Sequence, residues 1–434
     1  MNVNSNQIDA IVREVLASMG GAKTGGCSSC SGSCGAAPSI PATAKVAMLV
    51  GEKNIQVKEF PMPPVGDDDI LVQVEGCGVC GTDVHEWKMD PFGIIPVTLG
   101  HEGTGTIVAM GKNVKSDTAG KPIKVGDKIV TSVMSCGECG ICRMHPAQTN
   151  LCDGQGVFGL IQDSEEHHLS GWFSTHLLIK GEKNPTYFVV NDLDLKERML
   201  LELAAVCVHA LERGKATGLL NFGSTVVLQG CGPVGLMMLS VLTVAGINNV
   251  IAIDGTQQRL DMAKKLGANM TINFSEVKDL ETRVKMVKES SLTGLGADFI
   301  YQCTGAPRAA ADAYEYIRRG GGFCEMGFFV NNGSYEVNPH FAMCQKEINM
   351  VGSWDYSAED YPTTIAFLKQ ARKLGVPIKD LVTHSYPLDK LNEAMETNVA
   401  QKGIKICYVA ERSEERRVGK ECTSWCRSRW SPYH

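Results

Sequence analysis

The sequence has few of the features that mark a secreted or disulfide-built protein. It holds 17 cysteines among 434 residues, which is too sparse for the disulfide-dense domains of small secreted proteins. Asp9, Arg13 and Glu14 lie where a secretory signal would have its apolar core, so we expect no such signal and a cytoplasmic, reducing compartment. A net charge of −6 gives no support for nucleic acid or an anionic membrane as the main partner.

Long apolar runs are scarce as well. One stretch, residues 225–253, is apolar over a length that would cross a bilayer, but glycines, Gln229, Pro233 and an Asn248-Asn249 pair interrupt it. We therefore predict a buried strand–helix–strand there and no membrane contact. The length of 434 residues exceeds one hydrophobic core and indicates about two domains, with a composition typical of α/β proteins.

The two ends of the chain differ from its middle. Residues 1–19 are predicted to form an amphipathic helix, because apolar side chains recur at helical spacing at Ile8, Ile11, Val12, Val15, Leu16 and Met19. Residues 20–44 form a Gly/Ser/Ala/Pro linker, in which Cys27, Cys30 and Cys34 are either a metal or iron–sulfur site or ordinary thiols. Residues 411–434 lack periodicity and resemble the translation of a common sequencing adapter, so we interpret them as a non-native tail.

A short amphipathic helix on a flexible tether resembles the encapsulation peptides of enzymes packed into bacterial microcompartments. Such a helix is marginal alone and is stabilised by docking its apolar face on a partner, here a shell protein. A frayed terminus and a helix that packs on its own subunit are the alternatives.

Two motifs carry the side chains of a catalytic metal site. GCGVCGTDVHEW holds Cys80, Thr82, Asp83 and His85, and LGHEGTG begins at Leu99 and holds the pair His101 and Glu102. A thiolate, an imidazole and a carboxylate are the mixed ligands of catalytic zinc, which keeps one coordination position open for substrate. Neither motif is specific alone, but together they predict such a centre.

A third motif, SCGECGIC, suits a disulfide knot, a redox pair or a metal cage. Its cysteines, Cys136, Cys139 and Cys142, are followed by Cys152. Four thiolates in one loop satisfy a closed tetrahedral zinc site, and in a reducing compartment this favours structural zinc over the other two.

The segment STVVLQGCGPVGLMMLSVLTVAGINNVIAID predicts a dinucleotide-binding turn. A strand runs into a GxGxxG turn and a helix, and an acidic residue ends the next strand, which places a pyrophosphate at the helix N-terminus. The predicted cofactor-binding residues are Gly230, Gly232, Pro233, Val234, Gly235, Asp254 and Arg259. Asp254 is expected to bind the ribose hydroxyls and favours NAD, while Arg259 leaves NADP open.

The chain resembles the zinc-dependent medium-chain dehydrogenase/reductase family, which includes alcohol, threonine and polyol dehydrogenases. The resemblance rests on the motifs GVCGTDVH, GHEGTG and GDKIV and on the four-cysteine loop. The resemblance covers about residues 45–410 and implies an α/β protein with a GroES-like β-rich catalytic domain, residues 45–208 and 353–410. It also implies a Rossmann domain with a doubly wound parallel sheet, residues 209–352, that binds NAD, and a homo-oligomer, either dimer or tetramer. The nine residues between Cys142 and Cys152 exceed the gap usual in the family.

The resemblance also implies roles for individual side chains. Glu202 is expected to face the zinc, although a carboxylate at a helix start is the simpler interpretation, and Glu102 is expected to be a ligand or ligand-exchange partner. Thr82 and His85 correspond to the proton relay of the family, although His85 also suits a surface loop. Aromatic residues that either line an apolar substrate pocket or belong to the core are Trp87, Phe92, Phe328, Phe329 and Trp354.

These features predict a zinc-dependent, NAD(H)-linked alcohol dehydrogenase. If residues 1–19 are a cargo tag, it interconverts a short-chain aldehyde and its alcohol inside a microcompartment and regenerates NAD⁺. A polyol or L-threonine-type dehydrogenase is the alternative. A non-catalytic zinc scaffold or shell-tethering protein is the alternative of another class.

Overall fold

Residues 40–411 are the part of the chain that the structure, a computed structural model, describes. The predicted N-terminal helix, the linker up to residue 39 with its three cysteines, and residues 412–434 of the predicted tail lie outside the described residues.

The first half of the chain builds two mainly antiparallel sheets from short strands. These strands, together with two from the C-terminal end, are β1 (Thr43–Gly51), β2 (Asn54–Pro61), β3 (Ile70–Gly78), β4 (Val97–Thr98), β5 (Glu102–Met110), β6 (Lys128–Thr131), β7 (His176–Ile179), β8 (Tyr187–Val189), β15 (Val382–Tyr386) and β16 (Lys405–Val409). A three-stranded sheet has the order β2-β1-β4, and a seven-stranded sheet has the order β15-β16-β3-β5-β6-β8 with β7 on β3. The pairing of β16 with β3 brings the end of the chain against the predicted metal motifs.

The middle of the chain forms a six-stranded sheet in which all neighbouring strands are parallel. Its strands are β9 (Thr225–Gln229), β10 (Asn249–Asp254), β11 (Met270–Asn273), β12 (Ala297–Gln302), β13 (Ile317–Glu325) and β14 (Asn349–Gly352). The order β11-β10-β9-β12-β13-β14 is that of a doubly wound Rossmann sheet. The predicted fold class, a GroES-like β-rich part with a Rossmann part, is confirmed.

Helices connect the strands and pack against the sheets. They are α1 (Gly81–Met89), α2 (Gly140–Met144), α3 (Leu195–Met199), α4 (Leu201–Lys215), α5 (Pro233–Val244), α6 (Gln257–Leu266), α7 (Leu280–Ser290), α8 (Pro307–Tyr316), α9 (Asp360–Leu374) and α10 (Leu391–Val399). The apolar run at 225–253 is β9, α5 and β10, and all five residues of β9 are buried. A parallel strand covered by helices on both faces has to be apolar throughout, so the prediction of a buried strand–helix–strand is confirmed. None of the described helices combines the length and apolar character needed to cross a membrane.

Helix α4 contacts strands of two different sheets, β5 of the seven-stranded sheet and β13 and β14 of the parallel sheet. It also packs on α5 and α9. The predicted domain limit between residues 208 and 209 falls inside α4, and α9, which lies in the predicted catalytic segment 353–410, packs on α4 and α5. The domain limits therefore stay a prediction, while the placement of Glu202 in the first turn of α4 follows from the linking helix.

Burial of His176 predicts a pH-dependent loss of stability. His176 is 5% exposed, and burial lowers its pKa to about 4. Because the unfolded chain protonates this histidine near its usual pKa of about 6.5 while the folded chain does not, stability falls as the pH drops from about 6.5 towards 4. Urea unfolding at pH 7 and pH 5 is expected to show that His176→Gln removes about 2 kcal/mol of this loss. An equal loss in the wild type and the variant would contradict a neutral His176.

Candidate metal and cofactor sites

The predicted catalytic zinc ligands come together where α1 and β5 begin. Cys80 is the N-cap residue of α1, and Glu102 is the first residue of β5, directly after His101. One ligand atom from each of the three lies within 4.8 Å of the others. His101 and Glu102 are 6% and 1% exposed, while Cys80 is half-buried, so the cluster is largely shielded from water. This donor set fits a catalytic zinc ion.

Asp83 orients the histidine of this cluster. Its carboxylate is fully buried and accepts the backbone N–H groups of Cys80 at 2.8 Å and Gly100 at 3.3 Å. Its Oδ1 lies 3.5 Å from Nδ1 of His101, which has no closer hydrogen-bond partner among residues 40–411. Burial lowers the pKa of His101, but the charges of Asp83 and Cys80 outweigh burial and raise this pKa well above its usual value. With Nδ1–H directed at Asp83, Nε2 is left to hold a metal.

Glu102 has a buried ion-pair partner that the sequence did not predict. Lys405, the first residue of β16, is 2% exposed, forms an ion pair with Glu102 and donates to the carbonyl of Val79 at 3.1 Å. A Cβ at Gly78 would lie 1.9 Å from Oε2 of Glu102, so only glycine leaves room for this carboxylate. The feature of the sequence that could have indicated this buried ion pair is the single lysine, Lys405, inside the apolar segment GIKICYVA. The roles of Glu102 as ligand or exchange partner stay predictions.

Glu202 lies next to the cluster without belonging to it. The three clustered ligand groups are those of Cys80, His101 and Glu102, whereas Glu202 comes from the first turn of α4. Burial raises the pKa of Glu202, the charge of Glu102 raises it further, and the charge of His101 lowers it in part. A cation between Glu102 and Glu202 would relieve this repulsion, which fits the predicted metal.

The two residues predicted to relay a proton lie on the first turns of α1. The hydroxyl of Thr82 is 3.6 Å from Sγ of Cys80, so the structure brings it to the metal cluster. The ring of His85 packs edge-on against Phe329 at 5.6 Å between centroids. Burial, with a smaller contribution from Lys88, lowers the pKa of His85, which keeps the imidazole neutral and able to accept a proton near pH 7.

The aromatic residues predicted to line a pocket lie in different environments. Trp87 is 5% exposed, belongs to the apolar core beneath the site and donates its indole N–H to Asn392 at 3.1 Å. Phe92 and Trp354 are 50% and 51% exposed. Phe329 faces Gly81 and His85, so it is the member of the set that reaches the start of α1.

The four cysteines of the predicted structural site form a compact cluster. Sγ of Cys152 is 3.4 Å from Cys136 and 3.9 Å from Cys139, and Cys136 is 4.0 Å from Cys142. Sulfurs bound to one zinc ion at about 2.3 Å are about 3.8 Å apart, and a disulfide would need about 2.05 Å. A 3₁₀ helix at Pro146–Leu151 takes up the long gap before Cys152.

Backbone amides prepare the same cluster for metal. Hydrogen bonds from the N–H groups of Cys142 and Asp153 lower the pKa of Cys139 to about 6. The N–H group of Cys139 donates to Sγ of Cys136 at 3.3 Å, and backbone hydrogen bonds lower the pKa of Cys136 as well. Burial raises the pKa of Cys152 to about 12. Thiolates are the form that binds zinc, so Cys136 and Cys139 are the cysteines whose surroundings favour the predicted structural ion.

The glycine turn between β9 and α5 has the shape that a dinucleotide needs. Gly230 has φ = 98°, and a Cβ there would lie 2.3 Å from Cγ2 of Thr304. A Cβ at Gly235 would lie 1.9 Å from the carbonyl oxygen of Gly230, whereas a Cβ at Gly232 would meet nothing within 4 Å. The open face at Gly232, directly before Pro233 and Val234 at the start of α5, therefore fits a pyrophosphate that approaches the backbone.

Asp254 is held at the end of β10 by this turn. Its two carboxylate oxygens accept the backbone N–H groups of Cys231 and Thr256, each at 2.8 Å. Arg259 lies on α6 and affects the pKa of Cys231 through its charge. The carboxylate thus stands beside the cofactor turn, as the prediction for ribose binding requires.

Gly232→Ala is expected to weaken cofactor binding without unfolding the protein. Its φ of −69° is allowed for alanine, and the added methyl group meets no protein atom but occupies the space of the pyrophosphate. We expect KM for NAD to rise at least about tenfold with an unchanged melting temperature. Gly235→Ala, whose Cβ collides with the backbone of Gly230, should instead lower the melting temperature. An unchanged KM in Gly232→Ala would contradict the predicted position of the cofactor.

The fold and these sites define a dehydrogenase with a zinc-type cluster next to a dinucleotide domain. The profile of the alcohol dehydrogenase GroES-like domain matches residues 66–184, and that of the zinc-binding dehydrogenase domain matches residues 233–370. The chain is 31% identical to sorbitol dehydrogenase of Bacillus subtilis over 82% of its own length and 94% of that protein. It is 29% identical to D-xylulose reductase A of Aspergillus oryzae over 82% and 94% of the two chains.

Comparison of structures gives the same result. The crystal structure of an alcohol dehydrogenase from Thermotoga maritima superposes with a TM-score of 0.78 at 31% identity, covering 85% of this chain and 100% of that one. The chain belongs to the zinc-dependent medium-chain dehydrogenase/reductase family and is an NAD(P)-linked oxidoreductase that acts on a small molecule.

Proposed function

We propose that the protein oxidises a secondary hydroxyl group of a polyol with NAD. The observation that carries the proposal is the pair of carboxylates at the metal site, since Glu102 belongs to the cluster with Cys80 and His101 and the charges of Glu102 and Glu202 act on each other. The resemblance to the polyol and threonine branch of the family implies that Glu202 is the glutamate that faces the metal. The similarity to sorbitol dehydrogenase and D-xylulose reductase supports a polyol rather than the short-chain aldehyde that the sequence first suggested.

The residues of the metal site then have separate tasks. Cys80, His101 and either Glu102 or Glu202 would hold zinc, whose charge lowers the pKa of the substrate hydroxyl when bound. Asp83 fixes the orientation of His101, and Lys405 balances the charge of Glu102. The hydroxyl of Thr82, beside Cys80, would accept the proton of the substrate hydroxyl while releasing its own proton, and the neutral imidazole of His85 would take up the released proton and pass it to solvent.

The turn at Gly230–Gly235 would hold the cofactor, which supplies the hydride acceptor. The backbone N–H groups at the start of α5 would bind its pyrophosphate. The carboxylate of Asp254, held beside this turn, would accept hydrogen bonds from ribose hydroxyls and would repel a 2′-phosphate. NAD is therefore the proposed cofactor, and Arg259 is the residue through which NADP would be accommodated.

The proposal is tested by one set of assays. Zinc-loaded protein is given NAD with C2–C4 primary alcohols, L-threonine, sorbitol, xylitol and butane-2,3-diol, and NADH is followed by absorbance. We expect kcat/KM to be highest for a polyol or diol. Highest activity with ethanol or propan-1-ol would support the short-chain aldehyde hypothesis instead. No turnover by zinc-loaded protein would support the scaffold hypothesis, which the complete cysteine, histidine and glycine sets disfavour. Sedimentation of the same sample tests the proposed dimer or tetramer.

Cargo packing stays a prediction of the sequence. If residues 1–19 are an encapsulation peptide, their deletion should abolish co-purification with microcompartment shells and leave kcat/KM unchanged, because the described sites all lie beyond residue 39. A truncated protein that still co-purifies with shells would rule out this role.

A further inference from the structure

Polar side chains end three neighbouring strands of the parallel sheet. Gln229 ends β9, Gln302 ends β12 and Glu325 ends β13. In the strand register, Gln302 lies opposite Gln229 on one side and opposite Glu325 on the other. The row lies at the carboxyl edge of the sheet, where β9 leads directly into the cofactor turn at Gly230. Gln302 is fully buried, so its polar atoms need partners within the protein.

The side-chain amide of Gln302 binds both backbone groups of Thr304. Its Oε1 accepts the N–H group of Thr304 at 2.7 Å, and its Nε2 donates to the carbonyl of Thr304 at 2.8 Å. Nε2 also donates at 3.0 Å to Oε1 of Glu325, which accepts the N–H group of Gly327 at 2.9 Å. These partners fix the orientation of the amide, because a backbone N–H only donates whereas a carbonyl and a carboxylate only accept. Gln302 therefore holds the backbone of Thr304 at two points.

Thr304 fills the space between two glycines. A Cβ at Gly230 would lie 2.3 Å from Cγ2 of Thr304, so this methyl group packs directly on the first glycine of the cofactor turn. On the other side, a Cβ at Gly327 would lie 2.2 Å from the carbonyl oxygen of Thr304 and 2.6 Å from its nitrogen. A displacement of Thr304 therefore removes the contact that supports the turn at Gly230.

We propose that Gln302 is a positioning residue for the dinucleotide, and that it acts through Thr304 on the turn at Gly230. A turn that is already ordered loses less conformational entropy when the cofactor binds, and this favours tight binding. The glycine motif predicts the path of the turn, whereas Gln302 keeps the turn in place from a neighbouring strand. The inference rests on the proposed dinucleotide turn and is independent of which alcohol or polyol is the substrate.

Gln302→Met tests the proposal, because it removes the three hydrogen bonds of the amide and keeps a side chain of similar length. Binding of NADH to the zinc-loaded protein is measured by NADH fluorescence, and KM for NAD and kcat are measured by steady-state kinetics. We expect the Kd for NADH and KM for NAD to rise about tenfold. The value of kcat should stay close to that of wild type, because Gln302 does not belong to the metal cluster.

Asp298→Asn is the matched control for a general weakening of the sheet. Asp298 lies near the opposite, amino end of β12, is 9% exposed, accepts the backbone N–H group of Thr225 at 2.7 Å and forms an ion pair with Arg318. Its substitution should lower the melting temperature and leave the Kd for NADH unchanged. If Asp298→Asn weakens NADH binding as much as Gln302→Met does, the effect comes from the stability of the sheet and the proposal is wrong.

A second variant keeps the test decisive if Gln302→Met folds poorly. Thr304→Ser removes the methyl group that packs on Gly230 and keeps the hydroxyl that accepts the N–H group of Ala306 at 3.3 Å. The Kd for NADH should rise several-fold with a nearly unchanged melting temperature. Because both residues act through one contact, the double variant should bind NADH about as tightly as Gln302→Met alone. Single effects that multiply in the double variant, or an unchanged Kd in Thr304→Ser, would contradict a role of Gln302 through Thr304.

The two proposals fail in different ways. Wild-type protein that binds neither NADH nor NADPH contradicts the dinucleotide turn itself. Wild-type protein that binds NADH, combined with a Gln302→Met variant that binds it equally well, contradicts only the role of Gln302.

Discussion

Lys405→Met is expected to destabilise the protein by about 3–5 kcal/mol, because it leaves the buried carboxylate of Glu102 without its counter-charge. Lys405 and Glu102 are 2% and 1% exposed, so water cannot replace the lost ammonium group. The same change leaves the charge of Glu102, a member of the metal cluster, uncompensated beside Glu202, whose pKa this charge already raises. We therefore expect kcat/KM to fall together with stability.

Urea unfolding and steady-state kinetics measure both effects. Lys405→Arg is the control, because it keeps the positive charge and should recover most of the stability. The double variant Lys405→Met with Glu102→Gln should also be more stable than Lys405→Met alone, since the uncompensated charge is gone. A Lys405→Met protein as stable as wild type would show that the ion pair makes no net contribution.

Cys80→Ala has the largest expected effect on activity. It removes the thiolate of the predicted catalytic zinc site at the position where α1 begins, and the metal supplies several kcal/mol of stabilisation to the reacting oxygen. We expect kcat/KM to fall at least about 10³-fold with a preserved fold. Cys344→Ala, which removes an exposed thiol, is the matched control and should leave activity unchanged.

Metal analysis separates this effect from misfolding. Two cysteine-containing metal clusters are present in the described part of the chain, so bound zinc should fall from about two ions to about one per chain. The ion that stays belongs to the four-cysteine loop, whose ligands the variant does not touch. A variant that keeps both ions and full activity would show that Cys80 does not hold the catalytic metal.

The sequence by itself determined the features in which chemistry is encoded by short spacing. Each of these features lies within one continuous segment of the sequence, so local motifs predicted them: the turn Gly230–Gly235, the four cysteines from Cys136 to Cys152, and the pair His101-Glu102. The doubly wound parallel sheet was predicted in the same way, from strands that alternate with helices, whereas its strand order comes from the structure. These motifs also sufficed for the family.

Only the tertiary structure decided which distant charges surround the metal cluster. Lys405 meets Glu102 across 303 positions of the sequence, because β16 returns along β3 at the end of the chain. In the same way, Asp355 in the loop after β14 accepts a hydrogen bond at 2.7 Å from Gln155, 200 positions earlier in the sequence. No local pattern encodes such pairs, since a lone lysine or aspartate has the same appearance in a sequence whether it is solvated or buried. These charges affect stability because they are buried, and they become buried only when the seven-stranded sheet, the parallel sheet and α4 have packed together.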